Sequence, residues 1–185
     1  MNGEALRRIF PAFALLAATL ASLLAAPGPD GLSGAVLAAL MLAIAVSDAE
    51  RYIIPNELVT AAVALALLRA TTIGPDAGWL AVAGTAIRAA TVALPLLALM
   101  IFYRRWRGRD GLGLGDVKLA SVAGAWLGWT TMFAALELAA LAALAAYLLT
   151  ALLRRRSLRG TAFLPFGAFL APSIWLGWLA EALLG

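Results

Sequence analysis

Seven apolar runs fill most of this chain, and each is separated from the next by Pro, Gly or a charge cluster. They cover residues 9–26, 32–48, 57–73, 79–103, 116–128, 130–153 and 163–183. In hydrocarbon a backbone must satisfy its own hydrogen bonds, and about 20 apolar residues cross a bilayer as a helix. The pattern therefore predicts an all-α, polytopic membrane bundle of about seven transmembrane segments, read as one integral-membrane domain over residues 1–185. The breaks carry turn chemistry: Pro27-Gly28-Pro29-Asp30-Gly31, Pro55-Asn56, Gly74-Pro75-Asp76-Ala77-Gly78 and Gly128-Trp129. The run after Asp116 is short for a span, which predicts a thinned bilayer or a wet cavity beside it.

Charge gives the orientation. Arg7 and Arg8, Arg51, the cluster of Arg104, Arg105, Arg107 and Arg109, and Arg154, Arg155, Arg156 and Arg159 all fall on alternate connections. The other connections carry Asp30, Asp76 and Glu181 and no Lys or Arg. The positive-inside rule places the N-terminus and the arginine clusters in the cytoplasm, which predicts a multi-pass membrane protein. The first run, residues 1–26, also has signal-peptide features: Arg7-Arg8, an apolar stretch and Ala25-Ala26. Its apolar part exceeds the roughly 7–15 residues of a signal h-region, and another span follows almost at once. The net charge of +4 comes from these flanking clusters, so lipid is the expected partner and nucleic acid is not.

Composition narrows the chemistry. The chain has no His and no Cys, which removes Ser-His catalysis, thiolate nucleophiles and the common zinc motifs. Carboxylates, a single lysine and hydroxyls remain. Two carboxylates stand out because they close or open apolar runs, where an ionised group loses hydration. Asp48 ends the second run, and Asp116 opens the fifth after Gly111-Leu112-Gly113-Leu114-Gly115. Each alone reads more simply as a helix-end aspartate in interfacial water, with Asp116 as an N-terminal cap. Together they fall at one membrane face, far apart in sequence. Two adjacent carboxylates share a proton, so one can act as base on a water while the other protonates a carbonyl or leaving amine. That is aspartic-type hydrolysis, without metal.

The glycines Gly111, Gly113 and Gly115 offer a backbone free of Cβ along which another chain could lie; a plain linker is the simpler alternative. No Gly-Lys-Ser/Thr follows, so nucleotide binding is not expected. Lys118 and Ser121 share a helical face and raise a Ser-Lys hydrolase as an alternative, against a lysine that snorkels or tunes the carboxylates. Arg88 and Glu137 lie at roughly 13 and 10 Å depth, and a structural ion pair between them is predicted. Arg69, near a helix end, is expected to snorkel. Trp126, Trp129, Trp175 and Trp178 read as interfacial anchors.

Several of these elements match a known family. Asp48-Ala49-Glu50-Arg51-Tyr52-Ile53-Ile54-Pro55-Asn56 resembles the first aspartate motif of type IV prepilin peptidases. Gly113-Leu114-Gly115-Asp116-Val117-Lys118-Leu119 resembles their second, the Gly-x-Gly-Asp signature of intramembrane aspartyl proteases. Gly124-Ala125-Trp126-Leu127-Gly128-Trp129 is also similar, as is Leu164-Pro165-Phe166-Gly167-Ala168-Phe169-Leu170-Ala171, with Ala168 where a proline is usual. The resemblance implies a catalytic pair of Asp48 and Asp116, with Pro55, Asn56, Lys118, Pro165, Phe166 and Gly167 shaping the site. It further implies a prepilin or pseudopilin substrate, cut at the cytoplasmic membrane face after a short basic leader. Larger members link methylation of the new N-terminus to paired cysteines, which are absent here. The expectation is a minimal, peptidase-only form without S-adenosylmethionine, zinc or other cofactors. The oligomeric state is not readable from the sequence. The rival class is a small proton-linked transporter or channel using Asp48, Asp116, Arg88 and Glu137; a purely structural scaffold leaves the glycine run unexplained.

Overall fold

The computed structural model describes residues 3–73, 77–108, 113–154 and 164–184. They form seven helices: α1 (Gly3–Ala25), α2 (Pro29–Arg51), α3 (Asn56–Thr72), α4 (Trp79–Arg107), α5 (Leu114–Trp126), α6 (Trp129–Leu153) and α7 (Gly167–Leu184). No strand occurs among the described residues. Four helices, α2, α4, α6 and α7, are long and apolar enough to cross a membrane. The apolar runs of the sequence thus become helices with ends within a few residues of those expected. The punctuation works as its chemistry dictates: Pro29 begins α2 just after Gly28, which sits at φ 79°. At its other end α2 stops on Tyr52, a left-handed residue whose N–H returns to the Asp48 carbonyl.

Helix α5 is the hub. It packs against α3, α4, α6 and α7, while α6, α7, α2, α3 and α4 follow one another in contact around it. Helix α1 lies outside this arc, against α2 and α7. Most of α5 is buried, with Leu119, Val122 and Ala123 fully enclosed. Small residues bring the helices this close, as in membrane bundles generally. A Cβ on Gly124 of α5 would lie 2.6 Å from the Arg88 carbonyl oxygen of α4. A Cβ on Gly34 of α2 would overlap the Trp178 ring of α7.

Polar contacts fasten the end of the bundle away from the arginine clusters. Arg69 of α3 forms a two-pronged pair with Asp30 of α2: Nε donates to Oδ1 at 2.6 Å and a terminal nitrogen to Oδ2 at 3.2 Å. The same guanidinium lies 5.8 Å from the ring centre of Trp126. The backbone N–H of Gly128, at the start of α6, donates to Glu181 of α7 at 2.7 Å. Arg69 therefore does not snorkel; a carboxylate on the neighbouring helix holds it.

Two of the four tryptophans expected at the interface lie in the core instead. Trp178 and Trp126 are almost fully buried. The indole N–H of Trp126 donates to the Ala62 carbonyl at 2.9 Å, which makes its burial tolerable. Trp175 donates to the Ser22 hydroxyl at 3.1 Å, tying α7 to α1, and Trp129 remains exposed.

The expected Arg88–Glu137 pair does not form. Among the described residues the ion pair present is Arg69–Asp30, and Arg88 donates only to Thr85 of its own helix, at 3.3 Å. The reason is lateral: α4 and α6 both pack on α5, but they share no packed interface with each other. Equal depth did not mean adjacency.

The Gly34–Trp178 contact gives a direct test of packing. Gly34→Val should place two methyls in the space of the indole and lower the unfolding free energy by roughly 1–3 kcal/mol. The midpoint of thermal unfolding in detergent micelles reports it; an unchanged midpoint would show that α2 and α7 part freely there.

Candidate functional site

Asp48 lies in the last turn of α2 and is buried, with 6% of its surface exposed. A buried carboxylate needs donors, and here one comes from another helix. Ala168, in the first turn of α7, donates its backbone N–H to Asp48 Oδ2 at 2.9 Å, and Gly167 lies beside the same oxygen. The other contact of that amide, to the Pro165 carbonyl, is longer at 3.3 Å, and the positive end of the helix dipole reinforces the bond to Asp48. The carboxylate thus closes the start of α7, although the two residues stand far apart in the chain.

Asp116 occupies the third position of α5, after the N-cap residue Gly113. Its N–H donates to the Gly113 carbonyl at 3.1 Å, and its Oδ2 lies beside Gly113. An acidic residue in the first turn suits the positive end of the helix dipole, and the carboxylate stands at the head of α5. Asp116 is close enough to Asp48 for the two charges to act on each other.

Ile54 fills the angle between the two aspartate-bearing ends. A Cβ on Gly115 would lie 3.1 Å from Ile54 Cβ. A Cβ on Gly167 would lie 2.7 Å from Ile54 Cδ1 and 3.0 Å from Asp48 Oδ2. The small size of these glycines, rather than unusual dihedrals, lets α5 and α7 converge on α2. Gly113 is similar: its φ of −75° suits any residue, but a Cβ there would sit 3.2 Å from Asp116 Oδ2. Gly111 lies outside the described residues.

The remaining residues singled out by sequence divide. Pro55 caps α3 in an extended conformation and Asn56 starts that helix. Lys118 Nζ donates to Asn56 Oδ1 at 2.8 Å, joining α5 to α3 beside the aspartates. Ser121 donates its hydroxyl to the Lys118 carbonyl and not to its amine, so no Ser-Lys pair exists here. Pro165 and Phe166 shape the turn into α7: their carbonyls accept from Ala168 at 3.3 Å and Leu170 at 2.9 Å. Two participants went unrecognised by sequence reasoning. Ile54 was within a quoted motif, yet nothing marks an apolar residue as a wedge. The Ala168 donor is backbone and leaves no letter in the sequence.

Below Asn56 and Lys118 a cavity of about 460 Å³ runs along α3, lined by Val59, Thr60, Val63 and Leu67. A second cavity, about 310 Å³, lies at the opposite end beside Asp30, Arg69 and Glu181. The first is reached from the Lys118–Asn56 contact and is lined by neither aspartate; the second belongs to the polar fastening already described.

A model of the type IV leader peptidase family matches residues 35–153. The chain is 34% identical over 124 residues to a prepilin leader peptidase/N-methyltransferase of Klebsiella pneumoniae, covering 67% of this chain and 53% of that protein. It is 29% identical over 173 residues to a protein of the same name from Aeromonas hydrophila, covering 92% and 58%. A third, from Burkholderia pseudomallei, is 33% identical over 175 residues, covering 88% and 52%. The chain spans about half the length of these curated relatives. No solved structure matches it.

If Asp48 closes α7, truncating it should loosen the bundle. Asp48→Ala removes the shorter acceptor of the Ala168 N–H and leaves only the 3.3 Å contact to Pro165, and should cost roughly 1–3 kcal/mol of stability. Asp48→Asn keeps an acceptor oxygen and should recover most of that loss. Thermal unfolding of both variants in detergent makes the comparison; equal stabilities would contradict the structural role.

Proposed function

Because the chain belongs to the type IV leader peptidase family, we propose that it is a membrane aspartic endopeptidase with Asp48 and Asp116 as its catalytic pair. The substrate is the short basic leader of a type IV prepilin or pseudopilin. Cleavage occurs at the cytoplasmic face of the inner membrane, where the positive-inside rule puts Arg51, Arg104, Arg105, Arg107 and Arg154. The observation that carries this reading is that Asp116, at the head of α5, comes within electrostatic reach of Asp48, which the first turn of α7 holds.

The chemistry follows from that pairing. One carboxylate, ionised, removes a proton from a water whose oxygen attacks the scissile carbonyl carbon. The other, protonated, gives its proton to the carbonyl oxygen, so no free oxyanion forms. The resulting gem-diol collapses as the second carboxylate, now ionised, takes a proton from one of its hydroxyls. The C–N bond breaks, the proton taken from water passes to the leaving nitrogen, and the pair ends with one proton, as it began. Charge is conserved within the pair throughout, which suits a site short of mobile counter-ions. Positioning counts as much as proton transfer. Asp48 is held by the Ala168 amide of α7, and Asp116 by its place in the first turn of α5.

The proposal covers the peptidase step alone. The relatives' names couple it to an N-methyltransferase, and the larger members tie methylation to paired cysteines that this sequence does not contain.

Two experiments test it. Asp48→Asn and Asp116→Asn should each lower cleavage of a leader-bearing pilin-like protein in proteoliposomes by roughly 10²–10⁴-fold. Full activity in either variant would refute the pair. The wild-type rate should also be bell-shaped in pH, because one carboxylate must be ionised while the other keeps its proton. A rate that rises to a plateau and never falls would point to a single working group.

A further inference from the structure

Helix α6 carries a single charge, and it points away from the bundle. The packed face of α6 is Met132, Ala135, Ala139 and Ala143. At 3.6 residues per turn, Glu137 is directed roughly 155° from that face. Its side chain is exposed, and it has no hydrogen-bond or ion-pair partner among the described residues. It stands about 12 Å along the helix from Trp129, well inside the apolar run. A carboxylate facing acyl chains at that depth is costly, and such groups pair with an opposite charge.

The opposite charge exists on α4. Arg88 is half-buried about 13 Å along the helix from Trp79, so the two charges lie at similar depth from the same end of the bundle. Its guanidinium donates only to the Thr85 hydroxyl, and its buried Nε has no acceptor. Within one chain the two cannot meet, because α4 and α6 share no packed interface. They are, however, the two ends of the arc around α5. They are also the least covered of the spanning helices: 11% of each apolar window is buried, against 44% for α2 and 39% for α7.

We infer that two copies of this chain associate through α4 and α6, the Arg88 of each bonding the Glu137 of the other. Both helices run in the same direction, so a two-fold axis along the membrane normal sets α4 of one copy beside α6 of the other, twice over. The interface is self-complementary, as closed dimers require. Each contact gives a lipid-facing carboxylate a guanidinium partner, a charge-assisted hydrogen bond in low dielectric. The association does not depend on the peptidase reading.

Neutral variants test it without disturbing insertion. Full-length chains labelled through an added C-terminal cysteine, which is unique because the sequence has none, are reconstituted in phosphatidylethanolamine/phosphatidylglycerol vesicles. They are then scored by two-colour single-molecule colocalisation. Wild type should be dimeric. Arg88→Gln and Glu137→Gln should each be largely monomeric alone, yet form mixed dimers when combined, since one Arg88–Glu137 contact survives only in the mixture. A wild-type monomer, or dimers indifferent to both substitutions, would overturn the inference. Separately, copies bearing Thr91→Cys mixed with copies bearing Leu141→Cys, each one turn further along its helix, should form a mixed disulfide dimer. Dimers without that link would join through another face and would equally overturn it.

Discussion

The bond between the Asp48 carboxylate and the Ala168 amide of α7 holds together three parts of the chain that otherwise have little reason to meet. A helix start leaves N–H groups unpaired, and a membrane protein has few waters with which to satisfy them. Asp48 supplies the acceptor from the last turn of α2. The cost of burying its charge is offset because the donor is fixed and the helix dipole favours an anion there. Once α7 is seated on Asp48, Gly167 admits Ile54, and Ile54 in turn lies against Gly115, one residue from Asp116. The position of the second aspartate therefore depends on the first through an apolar wedge and two absent Cβ atoms.

Much of this was legible in the sequence, for a definite reason. In apolar text a charged letter is rare and expensive, so Asp48 and Asp116 announce themselves, and turn residues mark where helices stop. What could not be read was azimuth. The helices of this bundle are apolar on nearly all sides, so periodicity reveals no packing face. Depth can be counted along a helix; lateral neighbours cannot. Arg88 and Glu137 matched in depth and lie on different sides of α5. Arg69 looked free to reach the headgroups because its partner, Asp30, stands on a helix that no spacing rule connects to it.

The tryptophans make the same point from the opposite direction. A tryptophan near a segment end suits an interface and a core equally, since its ring is apolar and its N–H needs one partner. Trp126 found that partner in the Ala62 carbonyl. Trp178 found room because Gly34 has no side chain. Neither the carbonyl nor the missing Cβ appears as a pattern in the sequence.

The short α5 explains how two carboxylates come to lie inside a bundle rather than at its rim. Gly124 abuts Arg88 and Ala89 of α4, and the two helices run in opposite directions. Asp116, eight residues back along α5, is therefore level with about the eighth residue beyond Arg88, near Leu96. Helix α4 continues from there to Arg107, roughly another 16 Å at 1.5 Å per residue. Asp116 is thus set well below the arginine-bearing tip of the neighbouring helix. A longer α5 would raise its aspartate toward the rim, where bulk water screens the charge and the two carboxylates lose their hold on each other. The brevity that makes α5 a poor membrane span makes it a suitable support for a recessed pair.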